Sequence, residues 1–417
     1  MAAGSSAESA RSFESLRAWI DQNPEHFAAT PRFAAFYAAL TPVESSRVGM
    51  LWEAVQALAG VGDAPSGGAE TLVRSLPDAD DEEGALTIRT FAEALHARSS
   101  AVGAGGGNLY LAARPPGAQL RAFELLRLRT PLIPFAYAAA NRAILEAIGD
   151  DPQVVTLVDV GIGRGGQVRA LLRNPHSRSR IAALHVIGVE PDSSSATGAG
   201  ALQTAEAAVL DTAHDVGIPA SFTPISKRAE EIDAADLASA RGMVIGNAAF
   251  SLHHVDHAGG EGGLDRSAVL ETLRRAGVQT MVLVEPDSNH FVDDLPVRFL
   301  FAYRHYRAVA MSLRAMLTPA NAQLVWTEFF APEVHNVMTH EGSARTERHE
   351  QASSWAARLR ASGFETGDLS QLVTRSGTPP GFSLDHQPEA FSLCFQGVSL
   401  LSVLRGGHVP VASPRSP

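Results

Sequence analysis

Asp159, Gly161, Gly163 and Gly165 stand within the stretch VVTLVDVGIGRGG, residues 154–166. A β-branched apolar run ends in an acid, a glycine turn follows, and QVRALL continues with helical spacing. Strand, tight turn and helix start form the nucleoside- or phosphate-binding corner of a doubly wound sheet. Glycines there permit positive φ and let a ligand approach the backbone. The turn fits two patterns. Gly161, Gly163 and Gly166 spell the dinucleotide GxGxxG; Asp159, Gly161, Gly163 and Gly165 spell the DxGxGxG that seats S-adenosylmethionine in class I methyltransferases. Glu190, 31 residues after Asp159, ends a second apolar run and suits ribose hydroxyls in either case. An acid beside a pyrophosphate would be repelled, which favours the methionine-bearing nucleoside.

Other chemistry-bearing residues fall at the ends of later apolar runs. Asn247 closes GMVIGNAA and completes a cofactor-binding set of Asp159, Gly161, Gly163, Gly165, Glu190 and Asn247. His253 follows closely, and a histidine titrating near ~6.5 suits proton abstraction. Glu285 and His290 lie at and just after the VLVEPDSNH run, so His253, Glu285 and His290 form the candidate catalytic set. Asn289, Arg348 and His349 are candidate substrate contacts, Arg348 as a bidentate partner for a carboxylate. His253, His254 and His257 are close in sequence, but the loop AGGEGG beside them reads as a mobile connection, and no metal site is expected.

These residues need a scaffold, and the chain supplies one. Residues 12–128 carry helical periodicity in six runs, from SFESLRAWI to AQLRAFELLRL, separated by breaks such as GDAPSGG and VGAGGGN. This predicts an N-terminal α-helical cap over 1–128. Over 129–408 strands and helices alternate, which predicts an α/β Rossmann-like class I methyltransferase core. A helical insertion at about 295–345 interrupts it, and YRHY (303–306) reads there as packing plus a solvated face. ETGDLSQL reads as a strand, and EAFSLCFQG with VSLLSVLRG as an antiparallel pair that closes a mostly parallel seven-stranded sheet. The first ten residues and a tail at 409–417 are expected to fray.

Composition narrows the function classes. The 417 residues are 45% hydrophobic and 19% charged, with formal net charge −11. That charge argues against bulk nucleic-acid binding. One cysteine, Cys394, lies in an apolar run and reads as a buried thiol. No run reaches the ~20 apolar residues of a membrane span, and the N-terminus lacks a secretory pattern, so a cytoplasmic protein is expected. A homodimer is compatible with the sequence.

From residue 131 to 406 the chain resembles the GRAS-domain family, in its bacterial form. AYAAANRAILEAI resembles the end of that family's first leucine-rich region, and VVTLVDVGIGRGGQVRALL its VHIID motif. GMVIGNAAFSLHHV and VLVEPDSNH resemble the asparagine-bearing strand and the VEQEANHN stretch. RTERHEQASSWAARLRASGF resembles the opening of the SAW region and is the most specific block. Plant members largely lose the glycine pattern that this chain keeps. The resemblance implies a methyltransferase-like core under a helical cap. It implies transcriptional regulation for plant members and small-molecule methylation for bacterial ones. The intact DxGxGxG points to an S-adenosylmethionine-dependent methyltransferase, with the acceptor held between core and cap. The rivals are a non-catalytic ligand-binding or regulatory protein-interaction module and, further off, a nicotinamide oxidoreductase.

Overall fold

The computed structural model describes residues 2–30, 32–60, 68–75, 84–100, 117–191, 200–255, 265–367, 369 and 378–407. The breaks GDAPSGG and VGAGGGN, His257, the AGGEGG loop and the 409–417 tail lie wholly or mostly outside them. The chain forms two compact units, one from Met1–Gly107 with Ser288–Arg348, the other from Asn108–Asp287 with His349–Pro417.

The first unit is helical. Its N-terminal helices are Ala2–Gln22, Phe33–Ala38, Pro42–Leu58, Gly68–Ser75 and Ala85–Ser99. The first of these begins at Ala2, in the stretch expected to fray. Its later segment gives Leu295–Met316, Pro319–Val325, a wider-wound turn at Trp326–Phe330, and Ala331–Thr339. The Leu295–Met316 helix starts where Asp294 accepts a hydrogen bond from Val297 N at 2.9 Å, with a proline in its first turn. Every residue from Leu295 to Ala310 is buried. The solvated face expected around Tyr303–Tyr306 is therefore corrected. Helices from the N-terminal segment surround this one, and its polar groups are paired inside: Glu44 accepts from Tyr303 Oη at 2.7 Å and from Arg307 Nε at 2.5 Å.

The second unit carries the sheet. Its strands are β1 (Gln153–Val160), β2 (Ile181–Val189), β3 (Ala220–Ile225), β4 (Met243–Ala249), β5 (Thr280–Pro286), β6 (Glu365–Thr366), β7 (Phe382–Gln387), β8 (Ala390–Phe395) and β9 (Val398–Gly407). Their order is β3-β2-β1-β4-β5-β9-β8-β7, with β6 paired to β9. β1 to β5 run parallel; β9 is antiparallel to β5. The fold is thus mixed α/β, as the alternation predicts. The sheet has nine strands, not seven. One addition is β7, whose FSLDHQ is mostly exposed at the sheet edge and carries little apolar signal. The strand expected at ETGDLSQL is present in shortened form as β6.

The helices Arg266–Arg275 and Ala352–Ala361 cover one face of this sheet through Val269, Leu270, Leu273, Trp355 and Leu359, which pack with Val158, Ile187, Met281 and Leu283. Each such aliphatic residue contributes about 1.5–3 kcal/mol on burial. The Leu132–Ile148 helix packs on β4, β5 and β9 outside that cluster. Cys394 is buried in β8, as expected.

Candidate functional site

Parallel pairing sets the first cluster. β1 and β4 are neighbours, and their register puts Asp159 beside Asn247. Asn247 Nδ2 donates to Asp159 Oδ1 at 2.7 Å, and Asn247 Oδ1 accepts from Gln167 Nε2 at 2.9 Å. Gln167 O in turn accepts from Asn141 Nδ2 at 3.1 Å. All four side chains are buried. The chain of amides therefore fixes the Asp159 carboxyl between the strand and the helix after the glycine turn. Burial pushes its pKa up to about 7; the Asn247 hydrogen bond works against this and the neighbouring Glu190 charge adds to it. Tyr137 feels the same acid. Burial first, and Asp159 second, raise its phenol to about 12.

The glycine turn sits against this network. Gly161 has φ 81°, and a Cβ there would lie 2.5 Å from the Cβ of Ser251. Only glycine fits that close approach. Ser251 Oγ donates to Val160 O at 2.7 Å, which pins the loop after β4 to the end of β1. Gly163 has φ 54° and open space where a Cβ would go. Glu190 stands directly after β2, and its Oε2 accepts from Gly163 N at 2.9 Å. Burial raises the Glu190 pKa, and that hydrogen bond opposes the rise.

A second cluster forms at the ends of β4 and β5. Glu285, 1% exposed, accepts from Leu252 N at 2.9 Å and lies 2.5 Å from His253 Nδ1. Burial raises its pKa to about 7, against the Leu252 hydrogen bond. The His254 ring is 3.8 Å from that of His253, and the His349 ring stands edge-on to His253 at 4.7 Å.

The residues beside these are structural. Glu350 accepts from Arg266 Nη1 at 2.7 Å and from Arg358 Nε at 2.9 Å. Burial disfavours its charge, but Arg266, Arg358 and Ser354 prevail and hold its pKa low. Arg266 also donates to the carbonyl of His253, which ties the ion pair to the second cluster.

The predicted residues thus divide. Asp159, Gly161, Gly163, Gly165, Glu190 and Asn247 converge on one turn, and His253, Glu285 and His349 on one strand edge. Asn289, His290 and Arg348 belong to the helical unit. There His290 stacks on Tyr306 at 5.2 Å. Arg348 donates to Arg345 O at 3.0 Å and Gly342 O at 2.7 Å, so its guanidinium braces a turn of its own segment. Sequence reasoning missed Gln167, Asn141 and Ser251. Gln167 alone left a signal, a polar residue opening an otherwise apolar helix face.

The pattern of the GRAS domain family matches residues 74–403. Scarecrow-like protein 1 of Arabidopsis thaliana is 28% identical over 74% of this chain and 53% of its own length. Scarecrow-like transcription factor PAT1 of the same plant is 28% identical over 58% of this chain and 50% of its own. The chain spans about half the length of the curated relatives it matches. Among solved structures, SCL7 of Oryza sativa aligns with TM-score 0.71 at 22% identity, covering 86% of this chain and 99% of that one, and so shares the fold. Both relatives are plant proteins, one of them named as a transcription factor, and neither is a bacterial enzyme. They overturn the expectation of a small-molecule methyltransferase.

Proposed function

The chain belongs to the GRAS domain family, and on that premise we propose that it is a non-catalytic regulatory module that acts by binding other proteins. The similarity to a relative named as a transcription factor carries this reading. The geometry supports it. Groups that would have to reach a substrate are spent on internal bonds: Asn247 on Asp159 and Gln167, and Glu285 on Leu252 N–H and His253.

The glycine turn keeps a ligand role in this proposal. It seats S-adenosylmethionine as a bound effector that is not consumed. Gly163 offers open space above the turn, and Glu190, with Oε2 on Gly163 N–H, leaves Oε1 for a ribose hydroxyl. Among the described residues no helix is long and apolar enough to cross a membrane.

Two measurements on the full chain test this. The immobilised protein should retain a stoichiometric protein partner from its own cell extract. Calorimetry should detect S-adenosylmethionine binding, and prolonged incubation with extract should release no S-adenosylhomocysteine. Steady release of that product would overturn the non-catalytic reading.

A further inference from the structure

We infer that the outer edge of β7 docks an extended segment of a partner protein with the pattern apolar–basic–apolar, which adds to the sheet as a further strand. This rests on the protein-binding reading and supplies the surface and the partner chemistry that the reading leaves open.

The first observation is which backbone groups face outward. Gln396 N donates to Gly381 O at 2.8 Å, beside the pair Phe382 and Phe395. Ladder bonds alternate along an antiparallel strand. Ser383, Asp385 and Gln387 therefore bond β8, while Phe382, Leu384 and His386 direct N–H and C=O to the rim. Phe382 is already served: its N–H donates to Pro379 O at 3.0 Å, and its C=O accepts from Thr378 Oγ1 at 3.0 Å. Leu384 and His386 present the main-chain groups that an added strand bonds. The opposite rim differs. Leu184 N donates to Pro219 O and Glu190 N to Ile225 O, so odd-numbered residues of β3 bond β2 and Pro224 faces out. A proline, lacking the N–H, closes that edge.

The second is the side-chain pattern. Phe382, Leu384 and His386 share one face with their partners Phe395, Leu393 and Phe391. The Phe382 ring lies 4.9 Å from that of Phe395, and His386 stacks on Phe391 at 4.4 Å. Apolar residues opposite Leu384 and His386 extend that face. Asp385 stands between them on the other face, exposed, and among the described residues it bonds only Gln387 Nε2, at 3.3 Å. A lysine or arginine opposite Asp385 completes the match.

The third is that a second copy fits badly. In the twofold register that bonds Leu384 and His386 of one copy to His386 and Leu384 of another, Asp385 faces Asp385 and is repelled. The occupant is a different chain, with the opposite charge at that place.

The test uses the full chain and a short fluorescent peptide of alternating valine and lysine, with a valine–glutamate peptide beside it. Anisotropy should show saturable binding of the lysine peptide, about three- to tenfold tighter than of the glutamate peptide. Asp385→Lys should reverse that order. Leu384→Pro removes an outward N–H and spares the β8 ladder, and should weaken binding at least about tenfold. Circular dichroism checks the fold of both variants; Asp385 is exposed, so its variant decides the matter if Leu384→Pro does not fold. Hydrogen exchange by NMR should show the Leu384 and His386 amides gaining protection with bound lysine peptide, and those of Ser383, Asp385 and Gln387 protected throughout. Folded protein that takes up no lysine peptide at millimolar concentration would overturn the inference. So would a charge preference that Asp385→Lys leaves unchanged, or peptide binding without new protection at Leu384 and His386. A natural partner held equally by the parent and by folded Leu384→Pro would overturn it too, and leave the regulatory reading standing. A parent that binds the peptide as described but retains no partner supports the edge and sinks that reading.

Discussion

Asp159 titrates near 3.8 as a free side chain and near 7 in the folded chain, where burial is the main cause. Between these values the folded state holds a proton that the unfolded state has released. The group's contribution is fully favourable at low pH and is lost as pH rises through about 7, a change on the order of a few kcal/mol. Asp159→Asn stays neutral and can still accept from Asn247. It should melt higher than the parent at about pH 8, and the advantage should vanish near pH 4; thermal scans at both values decide it. The two glycines of the turn should separate fold from ligand. Gly161→Ala drives a Cβ into Ser251 and should cost about 2–4 kcal/mol in urea denaturation. Gly163→Ala meets nothing and should cost only about 1–2 kcal/mol, yet its methyl fills the space proposed for S-adenosylmethionine and should weaken that binding in calorimetry. Asp159, Glu190 and Asn247 were legible because strand ends announce themselves in sequence. The partners of Gln167 and Asn141 were not, because their contacts join residues 80 and 26 positions apart, and only the folded register makes those pairs.

The elements around the second cluster are tied by one acid. Glu350 precedes the Ala352–Ala361 helix and binds Arg266 at the start of the Arg266–Arg275 helix and Arg358 on its own. Removing its charge takes from Arg266, 1% exposed, the carboxylate it is bonded to. Glu350→Gln should destabilise this unit by about 3–5 kcal/mol, read from the shift of its denaturation midpoint. The most specific block of the sequence thus encodes an internal brace. Its Arg348, expected to meet a substrate, instead supports the turn around Gly342. Helices with regular periodicity were legible nearly end to end. The Leu295–Met316 helix was legible as a helix but not as a buried one, since arginines and a histidine on its faces imitate a solvated surface. The edge strand β7 escaped notice for the opposite reason. With one side bare it needs few apolar residues to form.

At the scale of the molecule, the helical unit is assembled from two distant stretches, 1–107 and 288–348. Its central helix is buried on every side by partners that include Glu44 and Tyr37. Deleting residues 1–107 should therefore expose the Leu295–Met316 helix and give aggregated protein on size-exclusion chromatography. A compact, monodisperse product would show that the two stretches do not depend on each other. The α/β class, the presence of the first five strands and the closing hairpin could all be read from alternation. The strand count and the pairing of the two stretches could not, since both are settled by long-range packing.

The last strand, β9, does not lie at the rim of the sheet. It fills the gap between β5 and β8 and also carries β6. A ribosome making this chain finishes β5 at Pro286 and does not reach Val398 until roughly 110 residues later. At about 5–20 residues per second, the bare flank of β5 waits on the order of ten seconds for its neighbour. During that interval the nascent sheet is open to any other strand. A premature stop codon anywhere before β9 would make the exposure permanent, and the cell would meet it as a chaperone client or a substrate for degradation.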